Sequence, residues 1–122
     1  MRAAGLRPIA TVSDSEAVLI TSSTPKHPHL APLMQQITSR IAGFIASKQF
    51  VLCKYNIPQA KLHDATAITP GRRAPTVSVL EDENWRAVSA LIERKNMASI
   101  MDQLVDVGAS EVLIVTLYNC RV

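Results

Sequence analysis

The sequence predicts an α+β domain of element order β-α-β-β-α-β, the ferredoxin-like arrangement in which two helices cover one face of a four-stranded antiparallel sheet. Three observations carry that prediction. Four runs rich in β-branched and apolar residues lie at FVLCKY (50–55), APTVSVL (74–80), WRAVSALIE (85–93) and EVLIVTLY (111–118). Two segments of helical composition, PQAKLHDATAI (58–68) and NMASIMDQLVDVG (96–108), fall between them in the required places. Only the four polar residues EDEN (81–84) separate the second run from the third, which makes that pair a hairpin.

Taken in order, the chain begins with two β-prone pieces, IATV (9–12) and EAVLI (16–20), on either side of a polar turn and with no obvious partner nearby. SSTPKHPHLAP (22–32) reads as an exposed linker, because each proline removes a backbone donor and biases its predecessor away from helix. Pro32 suits the first turn of a helix. From there Leu33, Ile37, Ile41, Phe44 and Ile45 recur at three- and four-residue steps, so 33–48 is expected to be an amphipathic helix whose apolar stripe needs a partner. Asn56 and Pro58 bound the first strand, and Thr69-Pro70-Gly71 ends the helix after it. Asn96 is expected to cap the last helix. Its stripe is Met97, Ile100, Met101, Leu104 and Val107, and Gly108 stops it.

Composition narrows the function classes. A chain of 122 residues with 48% apolar residues and four glycines suits one folded domain. The formal charge of +3 is spread without a block of like charges, and the strands offer Val, Ser and Ala rather than stacking aromatics, so nucleic acid is not an expected partner. No run approaches the length of a membrane span, and MRAAGLRPIATV lacks a secretory apolar core, so a membrane is not expected either. Cys53 and Cys120 sit in apolar runs far apart and read as reduced thiols. His27, His29 and His63 could ligate a metal in principle, but the first two lie in the linker with no acid to orient a ring, and EDE at 81–83 reads as a solvated hairpin tip. No nucleophile elbow or glycine-rich phosphate cradle is present.

The turn TPGRRAPT (69–76) holds the remaining chemistry. Arg72 and Arg73 beside backbone N–H groups on a tight glycine turn could clamp a carboxylate, and a solvated corner would look the same in sequence.

KYNIP, ATAITPGRRAPTVSVL, the tryptophan of NWRAVSALI, IMDQLVDVGASEVLIV and the closing NCRV together resemble the C-terminal part of long-form ATP phosphoribosyltransferase, in its fungal version. The resemblance is dense from about residue 33 to 122, and MRAAGLRPIATVSDSEAVLI is similar to the segment that ends the family's catalytic region. It implies residues 1–24 as the tail of a truncated catalytic region, 25–48 as a linker and connecting helix, and 49–122 as a ferredoxin-like regulatory domain. The threonine-rich phosphate loop of the family would lie before Met1, so the chain is expected to be a fragment without catalysis of its own, and no catalytic residue is assigned.

The resemblance further implies L-histidine as effector, bound between subunits of a homo-hexamer, with Asn56, Arg72, Ala74 and Thr76 lining the pocket. Asn56 stands where bacterial relatives commonly carry Asp, which removes a full charge from that wall. Mg²⁺ is implied for the parent reaction, which joins ATP to phosphoribosyl diphosphate, and is not expected to be held by this chain. The implied location is the cytoplasm. Two other readings stay open: a free-standing module that binds an amino acid or another chain, and an RNA-binding sheet.

Overall fold

The computed structural model describes residues 9–24 and 26–121, and the chain divides into two units, Met1–Ala31 and Pro32–Val122. Residues 1–8, 25 and 122, which include parts of the expected catalytic tail, the linker and NCRV, lie outside the described residues.

In the first unit the described residues form one 3₁₀ turn, Pro28–Leu30, and no strand. IATV and EAVLI therefore keep their β-prone composition without a ladder, and the side chains of Ile9, Val12 and Ile20 are almost fully exposed. Composition alone does not make a strand, because an isolated extended segment leaves its N–H and C=O groups to water.

The second unit has the predicted order. The long helix α1 spans Ala31–Gln49, two residues earlier than its apolar periodicity begins, with Pro32 in its first turn. Strand β1 is Phe50–Pro58, α2 is Leu62–Ile68, β2 is Thr76–Val79, β3 is Trp85–Glu93, α3 is Met97–Asp106 and β4 is Ser110–Thr116. The strands lie in the order β2-β3-β1-β4 and all pair antiparallel, so β1 and β3 are central. Pro58 completes β1, and a 3₁₀ turn over Gln59–Lys61 delays the helix, so α2 is shorter than its helical composition suggested.

The core follows from the pleat. Successive side chains on a strand alternate faces, and along β1 Val51, Cys53, Tyr55 and Ile57 are buried while the residues between them are not. Their partners Ile92, Ala90 and Val88 on β3 fall on the same face. Ala65 of α2 and Leu104 of α3 close over that face, with Met97, Ile100 and Val107 packed around them. Gly108, at φ +94°, turns the chain out of α3: its N–H donates to the carbonyl of Val105 (2.9 Å) and that of Ala109 to the carbonyl of Leu104 (2.9 Å). This is a Schellman closure, in which the left-handed residue costs glycine little. At the other end of α3, Asn96 occupies the cap position but does not cap. The 3₁₀ turn Arg94–Asn96 holds it at φ −98°, ψ 0°, outside the extended region a capping residue needs, and its amide donates instead to Glu93 Oε2 (3.1 Å).

Helix α1 packs through small residues. Gly43, Ala46 and Ser47 are buried, and they meet the segment after β4: the Cys120 N–H donates to the Gly43 carbonyl (2.9 Å), and the Ser47 hydroxyl is shared between the Phe44 carbonyl of its own helix (2.7 Å) and the Tyr118 carbonyl (3.1 Å). Arg94 Nε donates to the carbonyl of Lys48 (3.0 Å), placing a cation at the negative end of the helix. The predicted stripe of Leu33, Ile37, Ile41, Phe44 and Ile45 exists but stays 39–53% exposed.

Removing the Leu104 side chain opens a cavity at the centre of the core. Leu104→Ala should lose about 2–5 kcal/mol of unfolding free energy in urea denaturation. Burial pushes the Cys53 thiol and the Tyr55 phenol above their ordinary values. Both groups are neutral when protonated, so the folded state holds these protons more tightly than the unfolded chain. Stability should be level through neutral pH and fall as pH climbs past the ordinary thiol and phenol range. The fall should be shallower in Tyr55→Phe.

Candidate functional site

The turn between α2 and β2 is fixed at its start by a buried pair. Tyr55 OH lies 2.7 Å from Thr69 Oγ1, which donates to the Ala65 carbonyl at 3.2 Å, so the tyrosine is the donor to the threonine. The Thr69 N–H donates to the same carbonyl. Gly71 then takes φ +64°, which carries the chain past the sheet edge, and a Cβ there would meet the Ala74 carbonyl oxygen at 3.2 Å. Arg72 lies over the Phe50 ring, its Cζ 5.7 Å from the centroid, within cation–π range.

β2 enters the sheet with Thr76 opposite Ser89, and Ser89 pairs with Lys54. The neighbouring rung, Val77, Val88 and Tyr55, contains the buried Val88 and Tyr55, so Thr76 and Ser89 face away from the core. A cavity of about 550 Å³ opens there, within the range of small-molecule sites. Leu52, Ser89 and Leu91 form its floor, and Arg72, Arg73, Ala74, Thr76 and Arg121 its rim. Among the described residues that line it none is acidic, and three carry guanidinium groups. It can take an anionic group of carboxylate size beside an apolar or weakly polar body, since planar guanidinium forks match a carboxylate in two-point geometry. Arg73 and Ala74 also border a second hollow of about 570 Å³, against His63, Thr66 and Pro75 on the helix side, so the turn forms the wall between the two.

Of the four residues expected from sequence to line an effector pocket, the structure brings Arg72, Ala74 and Thr76 to this cavity. Asn56 lies on the same sheet face but on the rung of Ala87 and Ser78. Two strand spacings across and two residues along put it about 12 Å from Thr76. Its Nδ2 donates to Glu111 Oε2 at 2.6 Å, beside the register shift of the β1–β4 ladder, where Glu111 takes φ +51°. Sequence reasoning missed the floor residues and Arg121. Strand alternation from the buried Val51 and Cys53 places Leu52 on the open face and so could have found it. Nothing local marks Arg121, which reaches the rim only through the path of the chain after β4.

The other candidates are not among the residues that line this cavity. The rings of His27 and His29 meet edge to face at 5.7 Å, and His63 is exposed on α2 beside Asp64. Among the described residues no group of three or more His, Cys, Asp and Glu is placed to hold a metal ion. Cys53 is a buried free thiol and Cys120 a half-buried one. Among the described residues no helix is long and apolar enough to cross a membrane.

Comparison with known proteins gives this geometry a family. The model of the HisG C-terminal domain matches residues 47–119. Over the whole chain the sequence is 54% identical to ATP phosphoribosyltransferase of Yarrowia lipolytica, 49% to that of Kluyveromyces lactis and 48% to that of Saccharomyces cerevisiae. The chain spans about 40% of the length of each of these relatives. It belongs to the HisG C-terminal domain family.

Gly71 is the one glycine of the turn, and its left-handed backbone disfavours any Cβ. Gly71→Ala should cost about 1–2 kcal/mol in thermal or urea unfolding, with the loss accompanied by a shift of the Arg72–Thr76 amide resonances.

Proposed function

We propose that this chain, as a member of the HisG C-terminal domain family, is the regulatory portion of an ATP phosphoribosyltransferase, sensing L-histidine and contributing to assembly of a hexamer. The parent reaction joins ATP to phosphoribosyl diphosphate, releasing diphosphate with the help of Mg²⁺, and opens L-histidine biosynthesis in the cytoplasm. The single observation that supports the effector reading is the cavity after α2, with its guanidinium rim over a largely apolar floor and no acid among the described lining residues to repel a carboxylate.

In this reading the α-carboxylate meets the arginines, the backbone groups of 72–76 hold the amino acid against the turn, and Thr76 forms the wall nearest the sheet. Asn56, about 12 Å away in the same chain, serves the pocket of a neighbouring subunit. Its side-chain oxygen accepts a hydrogen bond from the ligand's ammonium or imidazole N–H. A neutral amide offers less attraction to an ammonium than a carboxylate would, so binding is weaker than with Asp at that position. Feedback requires the ligand to bind two assembly states unequally, since only differential affinity shifts an equilibrium. The exposed stripe of α1 and the open sheet face, where Leu113 and Val115 are also exposed, are surfaces on which copies can meet.

In the reconstituted full-length enzyme, Thr76→Arg should abolish inhibition by L-histidine while uninhibited turnover stays largely intact, because the longer cation fills the pocket and leaves the catalytic lobes untouched. Unchanged histidine sensitivity would overturn the assignment. A calorimetric titration of the 122-residue chain should give saturable heat with L-histidine and not with chemically similar amino acids.

A further inference from the structure

We infer that Arg121 is a binding residue of this cavity, and that the segment 118–121 which carries it ties occupancy of the cavity to helix α1. The inference rests on reading the cavity as an effector site, and it adds a residue and a mechanical route that the turn alone does not contain.

Arg121 borders two spaces. One is the cavity of about 550 Å³ beside Arg72 and Thr76. The other is a crevice of about 310 Å³ formed with Ser39, Ala42, Gly43 and Cys120 against α1. The segment that places it there is clamped to the helix by three hydrogen bonds. Asn119 Nδ2 donates to the Arg40 carbonyl (3.3 Å) and the Cys120 N–H to the Gly43 carbonyl (2.9 Å), while the single Ser47 hydroxyl proton is shared between the Phe44 carbonyl of its own helix (2.7 Å) and the Tyr118 carbonyl (3.1 Å). Helical carbonyls are normally engaged within the helix, so the use of two of them together with a fully buried serine fixes the segment in one position along α1. A larger residue at Gly43 would have to push the Asn119 side chain off its hydrogen bond to Arg40. A Cβ on Gly43 would stand 2.5 Å from Asn119 Oδ1.

A ligand carboxylate that engages Arg121 therefore holds 118–121 against α1, and displacement of the segment withdraws one of the three guanidinium groups from the rim. The two events are linked, and the linkage is reciprocal. The chain supplies its own reporter. Cys53 is fully buried with its thiol pushed up by desolvation, whereas Cys120 is half-buried within the clamped segment, and these are the two cysteines of the sequence. Reaction with a thiol reagent under native conditions therefore reads the position of 118–121.

The test titrates L-histidine into the 122-residue chain and into Arg121→Gln and Gly43→Val, and follows Cys120 labelling with and without the ligand. In the unsubstituted chain L-histidine should bind and slow labelling. Arg121→Gln should keep the melting temperature, weaken binding about tenfold, the loss expected for one charge-assisted hydrogen bond, and remove the ligand's effect on labelling. Gly43→Val, which does not line the cavity, should speed labelling of the free chain and weaken binding as well. Binding and protection unchanged in Arg121→Gln would overturn this inference and leave the effector reading standing. No binding of L-histidine by the unsubstituted chain would overturn both. A Gly43→Val chain that labels fast yet binds normally would keep Arg121 as a cavity residue and remove the link to α1.

Discussion

The alternation of β1 is the constraint on which the rest of this domain depends. β1 is paired on both sides, to β3 and to β4, so its backbone cannot slide or rotate without breaking two ladders. With Val51, Cys53, Tyr55 and Ile57 committed to the helix-covered face, the pleat sends Leu52, Lys54 and Asn56 to the other. That second face is where Thr76, Ser89 and Leu91 also arrive through their registers, and there the cavity lies. Core and candidate site are thus two consequences of one period-two pattern.

Tyr55 links those faces to the turn. Its ring belongs to the core cluster, and its hydroxyl reaches the buried Thr69 at the last turn of α2. A buried hydroxyl without a partner is costly, so the pairing holds the start of 69–76 against β1. Gly71 and the two flanking prolines leave the loop few other paths. A site built in this way needs little reorganisation when a ligand arrives, and its arginines are presented from a braced loop rather than from a free one.

Helix α1 stands in a different relation to the sheet. It reaches the rest of the unit through small residues and backbone hydrogen bonds from 118–120, and through Arg94 at its C-terminal carbonyl, while its large apolar residues remain exposed. A 19-residue helix with that distribution uses its narrow face within the domain and keeps its broad face outside it.

The strand and helix order from residue 50 was legible because short apolar runs, a four-residue hairpin link and helix stop signals act within a few residues of one another. Gly108 ended α3 as its position implied, and Arg72, Ala74 and Thr76 border one cavity because one short loop carries all three. Asn96 looked like a cap and was not one, since a neighbouring 3₁₀ turn set its backbone and Glu93 took its amide. IATV and EAVLI had strand composition but no ladder, which propensity cannot supply. What the sequence by itself determined was the set of elements and the faces of each strand, because those depend on local periodicity and turn chemistry. Only the tertiary structure decided that Asn56 pairs with Glu111 away from the turn, that the α1 stripe stays open, and that Arg121 reaches the cavity, because each depends on which distant segments the closed sheet brings together.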